Sequence, residues 1–341
     1  MANSKNRYAL VDYLKAVCVF FVIITHSDFL NEAIMDKGGL FYLLMVNKAV
    51  PVFMFLSGFV YSLGAKGGLK NQYRAKTITR KLLRLTIPTI VTILLFVVLN
   101  FFKTGSTTVG EMVYRIAIFN FGQGSYYYPV MVQFVLLAPV MWHLVHKYKE
   151  KGVMLIGVIN LFYEILWTLL SPSYDIFRIL VFRYLFVIAI GMYAGINKDC
   201  KHNWKNVGLS AVVGLVYILL PYFTEYEYKI FTVDPWNKSG MMSGFYVASV
   251  MAVCFALWGK VKTKGKISNA ISMVGKASYH IMYTQMIYFV VRPAFDTLIF
   301  DITALPLILQ IIIDIVVSVV TGVVFCVLDD KFFGKLYREK A

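Results

Sequence analysis

The chain has 341 residues, is 59% hydrophobic and only 15% charged, and has a mean hydropathy of +0.68. A soluble domain of this length carries more charge, so the composition excludes a soluble globular fold and predicts an all-α polytopic membrane protein. The net charge of +16 would suit nucleic acid, but where the charges fall assigns them to topology and anionic lipid instead.

Ten transmembrane spans are expected, at 9–29, 40–63, 84–102, 126–146, 153–170, 179–197, 206–223, 240–258, 275–292 and 305–327. They form a single transmembrane domain over 1–341, with a short charged tail from about 328. Of the 34 Lys and Arg, seven fall in the odd loops (Lys37, Lys103, Arg115, Arg178, Lys229, Lys238, Arg292) and three within spans (Lys15, Lys48, Arg183). The rest lie at the N-terminus, in the even loops and at the C-terminus, a few of them at span ends. Positive charge collects on the cytoplasmic side, so both termini are expected there. The apolar run after Lys5 and Arg7 has no small-residue cleavage site behind it, so the first span reads as a retained helix.

The first span, RYALVDYLKAVCVFFVIITHSD, organises the rest. Asp12, Lys15, Val19, Val22 and His26 share one helical face. Asp12 and His26 are 14 residues apart, about 21 Å along a helix axis. They mark a polar entrance and a deep histidine on one path. Titratable groups inside a span are costly and point to function; the bland alternative for His26 is a hydrogen bond between helices.

The second span carries Lys48 and then PVFMFLSGFVYS. Pro51 is expected to bend it, and Ser57–Gly58 to admit a close neighbour. Ser57 has no GxSxG surround, so it does not read as a nucleophile. Lys48 snorkels outward or faces a cavity. The basic loop at 64–84 contains Lys66, Lys70, Arg74, Lys76, Arg80, Lys81 and Arg84. Most of these serve topology. Arg80 and Arg84 are i, i+4 on a helix entering the third span, and paired guanidinium forks suit a phosphate-bearing donor.

The loop at 103–125, with TGSTT and FGQGS, reads as mobile. Tyr126, Tyr127 and Tyr128 read equally as an interfacial aromatic belt or a sugar-stacking platform. Glu164, Arg183 and Asp314 are further intramembrane charges, with Arg183 able to pair with either acid. The loop at 224–239 mixes acids and aromatics as a carbohydrate-facing loop would. Four scattered cysteines and five histidines show no metal-ligand spacing, so no metal is expected.

These segments together resemble the acyltransferase-3 family of bacterial integral membrane proteins. Arg7, Asp12, Lys15 and His26 fit its first-helix pattern. PVFMFLSGF fits its Ser-Gly-Phe signature, and RKLLRLTIP its Arg-x-x-x-Arg element. YYYPVMVQFVLLAP resembles its fourth-span region, and GKASYHIMYTQ its late Ser-Tyr…Tyr block. One departure is Gln285, at a position where the family often has a histidine; this concentrates the catalytic reading on His26.

The resemblance implies a bundle of about ten helices around a pore, in the bacterial cell membrane. It implies transfer of an acyl group, usually acetyl from acetyl-CoA, to a glycan, a lipid-linked glycan or another extracytoplasmic acceptor. Glycan-synthesis proteins are implied as partners. His26 carries over as catalytic, supported by Arg7 and Asp12. Arg80 and Arg84 carry over as the acyl-CoA contact, and Lys15 shares the path of the donor. The competing reading is an exporter or flippase for a polysaccharide or lipid-linked glycan, which needs no cytoplasmic CoA site. A third is an assembly subunit of a glycan-synthesis complex, which leaves the deep His26 unexplained.

Topology is directly testable. Reporter fusions at residue 341 and within 224–239 are expected on opposite sides of the membrane; the same side for both would sink the ten-span arrangement.

Overall fold

A computed structural model describes residues 9–27, 39–65, 67–102, 108–170, 173–198, 203–224, 240–258, 265–298 and 301–337. Arg7, Lys66, the TGSTT stretch up to residue 107, and nearly all of the 224–239 loop lie outside these. Among the described residues there is no strand, and every expected span falls on helix. The elements are α1 (Ala9–His26), α2 (Gly39–Leu44), α3 (Ala49–Gly64), α4 (Leu69–Gln72), α5 (Ala75–Phe102), α6 (Val109–Ala117) and α7 (Tyr127–Tyr148). They continue as α8 (Glu150–Leu170), α9 (Tyr174–Ile179), α10 (Leu185–Ile196), α11 (Trp204–Phe223), α12 (Ser243–Trp258), α13 (Lys266–Leu298) and α14 (Leu307–Tyr337).

Among the described residues, seven helical stretches are long and apolar enough to cross a membrane: α1, α2 with α3, α5, α7, α8, α11 and α14. Val181–Ile196 and Ser243–Trp258 are apolar but shorter. α13 has the length but carries Lys266, Lys276, His280, Arg292 and Asp296. The chain is an all-α polytopic membrane protein.

Several boundaries move. α5 begins at Ala75 rather than 84, which places Arg80 and Arg84 inside regular helix. Pro51 sits in the first turn of α3, where no intrahelical bond needs its missing N–H, so it does not bend the helix. The interruption comes earlier, in a 3₁₀ turn at Val46–Lys48 that buries Lys48 instead of letting it snorkel. The charged tail expected from about 328 is helix as far as Tyr337.

The chain forms two compact units. The first draws on Met1–Tyr42, Thr79–Pro129 and Lys262–Ala341, and the second on Leu43–Ile78 and Val130–Val261. In the second, α3 packs on α10 backbone to backbone. A Cβ on Gly58 would strike the Ile188 carbonyl, and one on Gly191 the Phe55 carbonyl. This is the close approach that Ser57–Gly58 predicted.

In the first unit, α1 packs on α13, and α13 on α14. A Cβ on Gly275 of α13 would collide with the carbonyl of Asp12, so only glycine admits the contact. Gly275→Val is expected to destabilise the protein by about 1–3 kcal/mol or more, as overpacking of a close contact does. Gly208 in α11 has no atom within 4 Å of its Cβ position, so Gly208→Ala should be neutral or slightly stabilising. Thermal unfolding of both variants in detergent checks the contrast; equal effects would refute the packing argument.

Candidate functional site

α1 is helical because its 18 residues are almost all apolar, with Asp12 in the first turn, where a carboxylate favours the helix dipole. Asp12 is 2% exposed and accepts a hydrogen bond from Ser272 Oγ at 2.9 Å. It is therefore an anchor of α1 on α13 more than an open entrance. Lys15, one turn on, is half-buried. Arg7 lies outside the described residues.

His26 is the last residue of α1 and is half-buried. No hydrogen bond to its imidazole occurs among the described residues. Its Nε2 lies 3.7 Å from where a Cβ on Gly124 would stand. Gly124 has φ +91, a left-handed conformation that glycine adopts without strain. The backbone there approaches the ring with no side chain between. The FGQGS segment expected to be mobile is instead tied down. Ser125 Oγ donates to the carbonyls of Phe119 (2.6 Å) and Gly122 (2.7 Å).

Ser27 continues from His26 into a buried network. Its Oγ donates to Asp314 Oδ2 at 3.0 Å. Asp314 is fully buried and also accepts from Tyr288 OH at 2.7 Å and Arg292 Nη1 at 2.9 Å. Arg292, placed in a loop by the sequence, is thus inside α13 and is the partner of Asp314. Arg183 lies in the second unit, over the rings of Phe177 (5.6 Å) and Tyr184 (4.4 Å). In the same unit Glu164 accepts from Asn160 Nδ2 at 3.1 Å and the Met241 backbone N–H at 2.7 Å.

Arg80 is half-buried and Arg84 exposed, one turn apart on α5. Arg84 acts electrostatically on His280, Cys326 and Tyr337. His280 Nε2 donates to Asp329 Oδ2 at 3.0 Å, and Tyr337 OH to Asp329 Oδ1 at 2.8 Å. From here hydroxyls continue along α5 and α13. Tyr279 OH reaches the Leu85 carbonyl at 3.2 Å and shares a hydrogen bond with Tyr283 OH at 2.8 Å, which shares another with Thr89 Oγ1 at 2.6 Å. Thr86 Oγ1 and Tyr128 OH are 3.0 Å apart. Tyr126 and Tyr127 are buried, so they do not form a lipid-facing belt.

Sequence reasoning missed Gly124, Asp329 and the Thr89–Tyr283–Tyr279 hydroxyls. Only the paired tyrosines of the late block signalled themselves, four residues apart on one helical face. Among the described residues no group of three His, Cys, Asp or Glu is placed to hold a metal ion.

Comparison with curated proteins and with solved structures gives no match. The acyltransferase-3 family model, an acyltransferase domain, matches residues 8–328, a range that takes in α1 with Asp12 and His26, the α5 arginines and the late tyrosine block. The chain therefore belongs to the acyltransferase-3 family and is a multi-pass membrane acyltransferase.

Proposed function

We propose that the protein moves an acyl group, acetyl in the simplest case, from cytoplasmic acyl-CoA to a hydroxyl of an extracytoplasmic glycan or lipid-linked glycan in the bacterial cell envelope. His26 is the general base. The observation that carries this reading is the half-buried imidazole of His26 against Gly124. It stands at the opposite end of α1 from Asp12 and has no competing hydrogen bond among the described residues.

Each part of the first unit has a task in this scheme. Arg80 and Arg84 hold the donor's phosphates by charge-assisted hydrogen bonds. Lys15 adds positive charge on the same path, and Arg7 and Asp12 support the base of α1. The thin arm of the donor runs past the Tyr279, Tyr283 and Thr89 hydroxyls toward His26. Neutral imidazole takes the proton of the acceptor hydroxyl as its oxygen attacks the thioester carbonyl.

The base is tested by His26→Ala and His26→Gln. Gln keeps a polar group of similar reach but cannot take a proton at neutral pH. Both variants should insert normally and lose acetyl transfer by about 10²–10⁴-fold. Acetyl content and surface glycan amount are measured together; an active Gln variant would refute the assignment, and lost glycan export at unchanged acetylation per glycan would favour an exporter.

The donor site is tested separately. Arg80→Ala and Arg84→Ala should each weaken CoA binding by about 1.5–3 kcal/mol, the worth of a charged hydrogen bond. Lys70→Ala and Arg74→Ala, at exposed positions, should matter little. Titration of CoA into purified protein reads all four; equal losses would mean general electrostatics rather than a site.

A further inference from the structure

Gln285 is fully buried in α13, yet among the described residues neither its Nε2 nor its Oε1 has a hydrogen-bond partner. Buried amides are almost always satisfied, and a specific exception calls for a reason. Ser318 on α14 is also fully buried, and among the described residues its Oγ has no partner either. Thr284, the residue before Gln285, donates through Oγ1 to the Ser318 carbonyl at 3.1 Å, which brings the two positions together.

The register of the helices places this pair relative to His26. α1 and α13 run parallel and are tied at both ends. Asp12 meets Ser272 at one end, and Ser27 and Tyr288 share Asp314 at the other. Counting between these ties puts Gln285 within about one helical turn of the level of His26. The loop at 119–126 agrees. A Cβ on Gly122 would lie 3.3 Å from Met286, the neighbour of Gln285, and one on Gly124 lies 3.7 Å from His26.

We infer that Gln285 is a catalytic residue whose amide N–H donates to the thioester carbonyl oxygen of the acyl donor; the inference rests on the His26 reading above. The acceptor oxygen attacks the carbonyl carbon and a C–O bond forms, while the C=O electron pair moves onto oxygen. The hydroxyl proton goes to His26. The resulting oxyanion is where a preorganised donor in a dry site acts most strongly. As it collapses the C–S bond breaks, the electron pair leaves with sulfur, and the proton passes from His26 to the CoA thiolate. The amide stands unpaired in the resting protein because its partner arrives with the substrate.

This origin makes an uncommon prediction. Leu has a similar volume and no polar group to strand, so Gln285→Leu should hold or raise the unfolding temperature. The same variant should lower kcat for radiolabelled acetyl-CoA transfer into native membranes by about 10²–10³-fold, as loss of one oxyanion donor does. CoA affinity, read by titration, should not change. A lowered unfolding temperature would mean that Gln285 is held by a buried water shared with Ser318, and would overturn the proposal. So would retained activity, or a loss confined to CoA affinity. If wild-type protein fails to bind CoA or transfer acetyl, the donor reading itself falls, whereas a defect confined to Gln285→Leu's stability or kcat speaks to this residue alone.

Discussion

The seating of α1 on α13 is the constraint on which the first unit depends. Lipid tails are as apolar as leucine, so helices in a bilayer gain little from simple hydrophobic contact. Close packing and hydrogen bonds decide which faces meet. Here both operate. Gly275 lets the backbones touch at the Asp12 carbonyl, and Asp12 takes the Ser272 hydroxyl. At the other end Asp314 gathers Ser27, Tyr288 and Arg292. Two buried carboxylates about one span apart hold two parallel helices in one register, and α14 is held by the same knot.

Asp314 illustrates why such a knot is selective. A buried carboxylate with its charge partner removed typically costs about 3–5 kcal/mol. Two of its donors, Tyr288 and Arg292, come from α13, and the third, Ser27, is the residue that follows α1. Any sliding of α1 by one residue would break Ser27 from Asp314 and turn His26 away from Gly124. The placement of His26 is thus maintained by the charge network at Asp314. The same economy appears toward the C-terminal end of α14, where Asp329 accepts from both His280 and Tyr337.

The two units divide their polar residues differently. In the first, hydroxyls, arginines and imidazole line up along α1, α5 and α13. In the second, Glu164 is enclosed by Asn160 and the Met241 backbone, and Arg183 lies on aromatic rings. Cation–aromatic contacts of this kind add to the stabilisation of a desolvated guanidinium, and Arg183 also acts electrostatically on Glu164. The tight α3–α10 contact through Gly58 and Gly191 gives that unit a rigid centre.

The spans, the family and the conspicuous residues of α1 and α5 were legible in the chain because each rests on local information. Apolar runs of membrane length, the one-face pattern from Asp12 to His26, and the i, i+4 spacing of Arg80 and Arg84 need no partner to be seen. Partner choice was not legible. Arg183 was an equal candidate for Asp314, and Arg292 was counted as a loop charge, until α13 was seen to continue beyond it. Asp329 was read as tail because helix propensity at a charged terminus is weak evidence against a membrane boundary. Gly124 looked like mobile loop because φ and hydrogen bonding, not composition, make it a wall beside His26. The sequence by itself determined that the chain lies in a membrane and which residues are costly to place there. Which of those residues meet, and that the buried Gln285 amide has no hydrogen-bond partner among the described residues, was decided only by the tertiary structure, because pairing across helices depends on register and rotation that no local pattern encodes.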